Sequence, residues 1–348
     1  MDRLLGFTGD LVIGTQKDTP SLSHLLAQIP ATWHLIINFE GTLHDDSHEL
    51  TPSRPKLLIT SPLQLFQKLD KRALLAACTA NNHIGDFGNS TARFTISELS
   101  KCFPTFGSGF EADQFHLLTC EHNGVRIGLA SYCAADVDDS MKFCSKSFIG
   151  PRLLTREQAV ADAEHLNKTS EHSIAIVHWG DEFFHYPKPE QIVFGRFLVD
   201  AGFRVVVGGH SHTVQGYERY KGGYIFYSLG NFFFPDYATT VCGQRFTLDW
   251  PTRSRWAIVP LFQVTHTEMV LRAIEFVVIR GGLPQVFAAP RFLRRLQRLS
   301  NPLGSAHYAR SIEVRRAIEK VRIRCARFAV RDDKWKVIRR KLTGGLFH

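Results

Sequence analysis

Residues Val205–Phe234 read VVVGGHSHTVQGYERYKGGYIFYSLGNFFF. Phe203–Val207 is a short, β-branched apolar run, the pattern of a buried strand. Gly208 and Gly209 end it, and glycine tolerates the backbone angles of a tight exit. His210 and His212 follow directly. Side chains two apart on extended backbone point the same way, so two imidazoles can face one point beyond the carboxyl end of a strand. Open α/β sheets bind ligands there, and imidazole is the commonest nitrogen ligand for metals. Taken alone, the pair reads equally well as two solvated histidines on a turn, since the chain has 16 histidines.

The rest of the chain tips the balance. Four further apolar runs end on a polar residue of ligand type. They are Gly9-Asp10, Asn38-Phe-Glu40-Gly41, Asn81-Asn82-His83 and His178-Trp-Gly180. Any one could be a turn former, a solvated acid or a core imidazole. Five in sequence order are hard to reach by chance. Carboxylates, an amide oxygen and imidazoles form a nitrogen and oxygen donor set that suits Mn, Fe or Zn rather than a thiolate site.

Strands alternate with helices at first, and hairpins come later, so a mixed α/β architecture is expected. Strands are expected at 3–8, 33–39, 73–78, 115–119, 125–131, 173–177, 203–207, 224–227, 255–264 and 269–279. Helices are expected at 21–29, 61–69, 90–102, 157–167 and 189–200. His122-Asn-Gly124 is a hairpin signal, and residues 134–151 read as an irregular insertion.

With 348 residues, 44% of them hydrophobic and 22% charged, the chain can bury a large core. Its seven cysteines show no CxxC pairing, which fits a reducing compartment. Cys78 and Cys133 are expected to be buried and inert. No run approaches the roughly 20 apolar residues of a spanning helix, and MDRLLGFTGDLVIG is too short and acidic for a secretory signal. A soluble, cytoplasmic protein is expected, with peripheral contact at the inner face of a membrane as one reading of its basic tail. The net charge of +9 is uneven: residues 291–348 carry +13 and residues 1–290 carry −4. In that tail, RFLRRLQRL (291–299) sets Phe292, Leu293, Leu296 and Leu299 on one helical face among arginines. Such a helix suits an anionic membrane surface; packing of its apolar face on the body accounts for it equally well. Nucleic acid is the least favoured partner, because the body is net acidic.

The ordered motifs FTGDLVIG (7–14), NFEGTL (38–43), TANNHIGDFG (79–88), VHWGDEF (177–183), VVGGHSHTVQGYE (206–218) and YSLGNFFF (227–234) resemble the CapA-type capsule (poly-γ-glutamate) synthesis proteins of the calcineurin-like metallophosphoesterase superfamily. The resemblance spans roughly residues 1–235. It implies two packed mixed β-sheets flanked by helices. The charge pattern and the tail's lack of a counterpart in the match divide the chain into a body over residues 1–285 and a basic, mostly helical extension over 286–348. The resemblance further implies two divalent metal ions at one edge. By similarity Glu40 bridges them, Asp10 and His212 complete one site, and Asn82, His178 and His210 complete the other. His83 stands beside the metals as acid or oxyanion stabiliser, oriented by Asp86. Implied substrates are an anionic polymer or a phosphorylated compound in capsule or exopolymer production. The rival reading is a non-hydrolytic assembly factor. It draws on one departure: Asp10 is followed by Leu11-Val12 where most of the superfamily has Asp-x-His. Two further departures are Glu40 in place of Asp and Asn81/Ile84 around Asn82-His83.

Overall fold

Apolar runs buried on both faces force the layering. In Trp33–Phe39, side chains alternate: Ile36 joins the cluster between the sheets, while Leu35, Ile37 and Phe39 pack on the other side against Leu22, Leu25 and Leu26 of helix Thr19–Ala27. The computed structural model describes residues 2–47, 50–54, 57–113, 116–241, 244–280, 283–287, 290–305 and 307–331. Two units are distinguished, residues 1–303 and 304–348.

The first unit holds two large mixed sheets. The first is eight-stranded: Leu4–Leu11, Trp33–Phe39, Leu74–Cys78 and Thr105–Phe106 run parallel, and the long strand Trp256–Val264 joins Leu4–Leu11 antiparallel. Asn231–Phe233 also pairs with Leu4–Leu11. The second sheet is six-stranded, with Val125–Cys133, His172–His178, Val205–Gly209 and Gly223–Phe226 parallel. Leu5, Phe7, Ile36 and Cys78 of the first sheet pack with Ile127, Leu129, Ile174, Val205 and Val207 of the second, forming one core. Helices Arg156–Thr169 and Pro189–Asp200 bury Ala159, Ala163, Leu166, Ile192 and Leu198 and lie along the second sheet.

The mixed α/β class follows the expectation, with seven α-helices among the described residues. Trp33–Phe39 and Pro189–Asp200 have the expected bounds. The hairpin at Asn123-Gly124 forms with positive φ at both residues (52° and 78°), as a two-residue turn of this twist requires. Phe115, expected to start its first strand, lies outside the described residues. The first strand differs: it continues past Thr8 to Leu11, so Asp10 lies within it and not after it. Its pairing register shifts around Asp10 on both sides, and such a bulge re-aims a side chain. Helix Pro290–Ser300 belongs to the first unit: Leu296 and Leu299 are buried, and the Phe292 ring packs on Trp256 and Phe276. The second unit contains helix Tyr308–Arg331. No described helix is long and apolar enough to cross a membrane.

Candidate metal centre

Parallel strands deliver their carboxyl ends to one edge, and every expected ligand sits on such an end. Asp10 is the penultimate residue of its strand, and Glu40 follows Phe39. Asn82 and His83 follow Cys78, and His178 closes its own strand. His210 and His212 follow Gly209. All six expected ligands are buried: Asp10 0%, Glu40 1%, Asn82 6%, His178 2%, His210 1% and His212 4% exposed. His210 and His212 have positive φ (81° and 53°), uncommon for residues with a side chain. Two such exceptions, separated only by Ser211, mark a loop held in this shape by its surroundings. Gly208 permits the close approach: a Cβ there would stand 2.1 Å from the Tyr227 carbonyl oxygen and 2.5 Å from Trp179 Nε1.

The tightest group is Asp10, Glu40 and His212, whose ligand atoms lie within 4.8 Å of one another. Asn38 Nδ2 donates to Asp10 Oδ1 at 2.7 Å and fixes that carboxylate. His212 Nδ1 lies 3.0 Å from both Asn231 Oδ1 and Asp10 Oδ2. One N–H serves one acceptor well; Asn231 takes the hydrogen bond, and Asp10 Oδ2 is left open. That bond turns His212 Nε2 towards Glu40 Oε1, 3.7 Å away. Both oxygens of Glu40 lack any hydrogen-bond partner.

Beside it, His178 Nε2 lies 2.9 Å from Asn82 Oδ1, and the His178 and His210 rings are 4.8 Å apart. Nδ1 of His178 and Nδ1 of His210 are without partners. His83 Nδ1 meets Asp86 Oδ2 at 2.7 Å, and its Nε2 faces Glu40 Oε1 at 3.8 Å. Asp86 thus holds the ring with Nε2 aimed at the carboxylate cluster.

Sequence reasoning missed Arg54. This buried guanidinium binds Asp86 through Nε at 2.9 Å and through Nη2, donates to the Asn82 carbonyl at 2.7 Å, and pairs with Asp138. It ties its own segment and that of Asp138 to the His83 loop. Nothing around Arg54 in the sequence marks it, because its partners lie 28 to 84 residues away. Asn38 was legible only as a strand-end residue, and Asn231, in SLGNF, as a turn residue supporting the site and not a ligand. Trp179 packs beneath the site, donating to the Tyr227 carbonyl at 2.9 Å, and Phe232–Phe234 are core residues.

The electrostatics follow from burial. Desolvation, then the neighbouring Asp10, pushes the Glu40 carboxyl well above its usual range. Burial and the His210 ring hold His178 well below its ordinary value, and burial lowers His210 to about 4. Burial opposes charge on His212 too, but Glu40 and Asp10 outweigh it and raise the imidazole to about 10. Cys78, by contrast, is pushed up to about 11 by burial and is inert as a thiolate.

The donor set fits divalent cations. Buried polar atoms are nearly always satisfied, yet here three carboxylate oxygens and two ring nitrogens are open. Donors sharing one small ion at about 2.1 Å each sit about 3–4 Å from one another, the spacing of Glu40 Oε1 from His212 Nε2. A divalent ion would take over the role of the His212 proton and release it.

Fold and site therefore define a two-sheet α/β protein with a cation-ready carboxylate–imidazole edge. Residues 5–236 match the bacterial capsule synthesis protein PGA_cap family, and the chain belongs to that family. It is 30% identical over 205 residues to the capsule biosynthesis protein CapA of Bacillus anthracis, covering 57% of this chain and 49% of that protein. It is 30% identical over 159 residues to the PGA biosynthesis protein CapA of Bacillus subtilis (strain 168), covering 45% and 41% respectively. The chain thus spans about half the length of the curated relatives it matches, or less. Similar solved structures include a phosphatase from Mycoplasma pneumoniae (14% identity, TM-score 0.48, 84% of this chain and 97% of that one). Another is the calcineurin-like phosphoesterase YfkN from Bacillus subtilis (11%, TM-score 0.45, 85% and 95%).

Proposed function

We propose that this chain serves capsule or exopolymer production of the poly-γ-glutamate type as a metal-dependent hydrolase of a phosphoester or related linkage. The observation that carries this reading is Glu40, fully buried with both oxygens unpartnered beside Asp10 and His212. An unpaired carboxylate in the interior is costly, and a cation is the natural remedy. Asp10, Glu40 and His212 would hold one ion, and Asn82, His178 and His210 a second, with Glu40 between. Bound there, divalent ions neutralise a phosphoryl group and acidify a water.

The chain's own contribution is positional. Asp86 keeps Nδ1 of His83 engaged, so Nε2 faces the place where charge would develop. Arg54 holds Asp86 in turn. The cysteines at 78, 102, 120, 133 and 144 are free, in keeping with a reducing, cytoplasmic setting.

The test is elemental analysis followed by a turnover screen on phosphomonoesters, phosphodiesters and phosphorylated polymer. Expected are close to two ions per chain, metal-dependent turnover, and loss of turnover in His83→Ala with metal retained. Full turnover in His83→Ala would remove that residue from the chemistry. A second reading, a binding factor without turnover, rests on buried Val12, which stands where most of the superfamily has a ligand histidine. Bound metal with no turnover on any of these substrates would favour it.

A further inference from the structure

The described part of the second unit carries an exposed apolar stripe that the metal centre does not use. Val314, Ile318 and Val321 of helix Tyr308–Arg331 are 63%, 47% and 60% exposed. At roughly 100° per residue they fall within about 60° of one another, on one face. Tyr308 and Ile312 lie on another side and are buried, so the exposed stripe is not simply the packed face of the helix. Arg315 and Lys320 flank the stripe on its two sides, and Arg310 lies in line with it. The 24 residues of this helix contain eight Lys and Arg against Glu313 and Glu319.

We infer that this face of helix Tyr308–Arg331 seats on an anionic lipid surface, with Val314, Ile318 and Val321 entering the acyl boundary. The two halves of the pattern need each other. Basic side chains draw the helix to lipid phosphates, within reach of about a Debye length. An apolar stripe between them has a place to go in a bilayer interface. Binding to nucleic-acid phosphates would use the charges and leave the stripe in water. The helix is about 36 Å long, enough to lie in an interface over six turns. This attachment is independent of the metal centre.

The test is vesicle flotation of the full chain. Vesicles of phosphatidylcholine with about 30 mol% phosphatidylglycerol should carry the protein at low ionic strength, and pure phosphatidylcholine should not. Val314→Ser, Ile318→Ser and Val321→Ser combined keep every charge and should weaken binding at least about tenfold. The three sites are exposed, so the variant should retain the wild-type unfolding temperature, which is measured alongside. Undiminished flotation of the triple variant would overturn the inference and reduce the contact to charge alone. Absence of flotation by the wild type would also overturn it, whether the helix binds duplex DNA or RNA instead or the triple variant converts a dimer to a monomer.

Discussion

Replacing Glu40 by Gln should uncouple the chain from divalent cations while leaving its fold intact. Glu40 is buried with no hydrogen-bond partner on either oxygen. An ion bound at about 1,000 times its dissociation constant stabilises the folded chain by about 4.1 kcal/mol. For the roughly 300 residues of the first unit, unfolding entropy is about 0.6 kcal/mol per degree, so the wild type should gain about 6–7 °C on adding Mn, Fe or Zn. The isosteric amide loses the charge that holds the ion. If affinity falls a hundredfold, the same ion concentration supplies about 1.4 kcal/mol and about 2 °C. The chelated proteins should differ in pH dependence. Glu40's folded pKa is raised above the ordinary 4.5. Its contribution is therefore full below that value and is lost as pH rises through the folded pKa, by at most about 1.4 kcal/mol per unit. Glu40→Gln should lack that fall. The assay is thermal unfolding with and without ion at several pH values, with metal content measured in parallel. A wild-type shift below 1 °C with all three metals, or an equal shift in Glu40→Gln, would refute the argument that this carboxylate is a ligand.

Other expectations follow from the same geometry. Arg54→Met removes the guanidinium that pairs with the buried Asp86 and Asp138 carboxylates; loss of about 3–5 kcal/mol and about 5–8 °C in unfolding temperature is expected, with partial recovery in Arg54→Lys. Gly208→Ala would place a Cβ 2.1 Å from a backbone oxygen and against the Trp179–Tyr227 hydrogen bond. It should lower the unfolding temperature by about 5 °C or more, and a neutral result would contradict the packing described. His34 and His185 are both held down to about 4, chiefly by burial, with Arg3 and Arg295 adding to it. Their folded pKa lies below the unfolded value, so stability is lost as pH falls from 6.5 towards 4. Phe at both positions should flatten acid unfolding in that window, as followed by circular dichroism.

Much of the fold was legible because burial on two faces writes itself into composition. WHLIINF and the valines before Gly208 can only be interior strands, and polar residues at their ends stand out against them. The strand-end rule also placed Asp10, Glu40, Asn82, His178, His210 and His212 at one edge, since parallel strands finish on the same side. A linear chain does not reveal which atoms meet. Arg54 and Asp138 are 84 residues apart and sit in loops without periodicity, so their pairing around Asp86 belongs to the tertiary structure alone. So do the bulge that brings Asp10 inside its strand and the bond that leaves His212 Nε2 facing Glu40. The basic tail shows the same division. Charge and amphipathic spacing can be counted along the sequence, but only packing decides which apolar residues find a partner. Leu296 and Leu299 are buried, while Val314, Ile318 and Val321 face solvent.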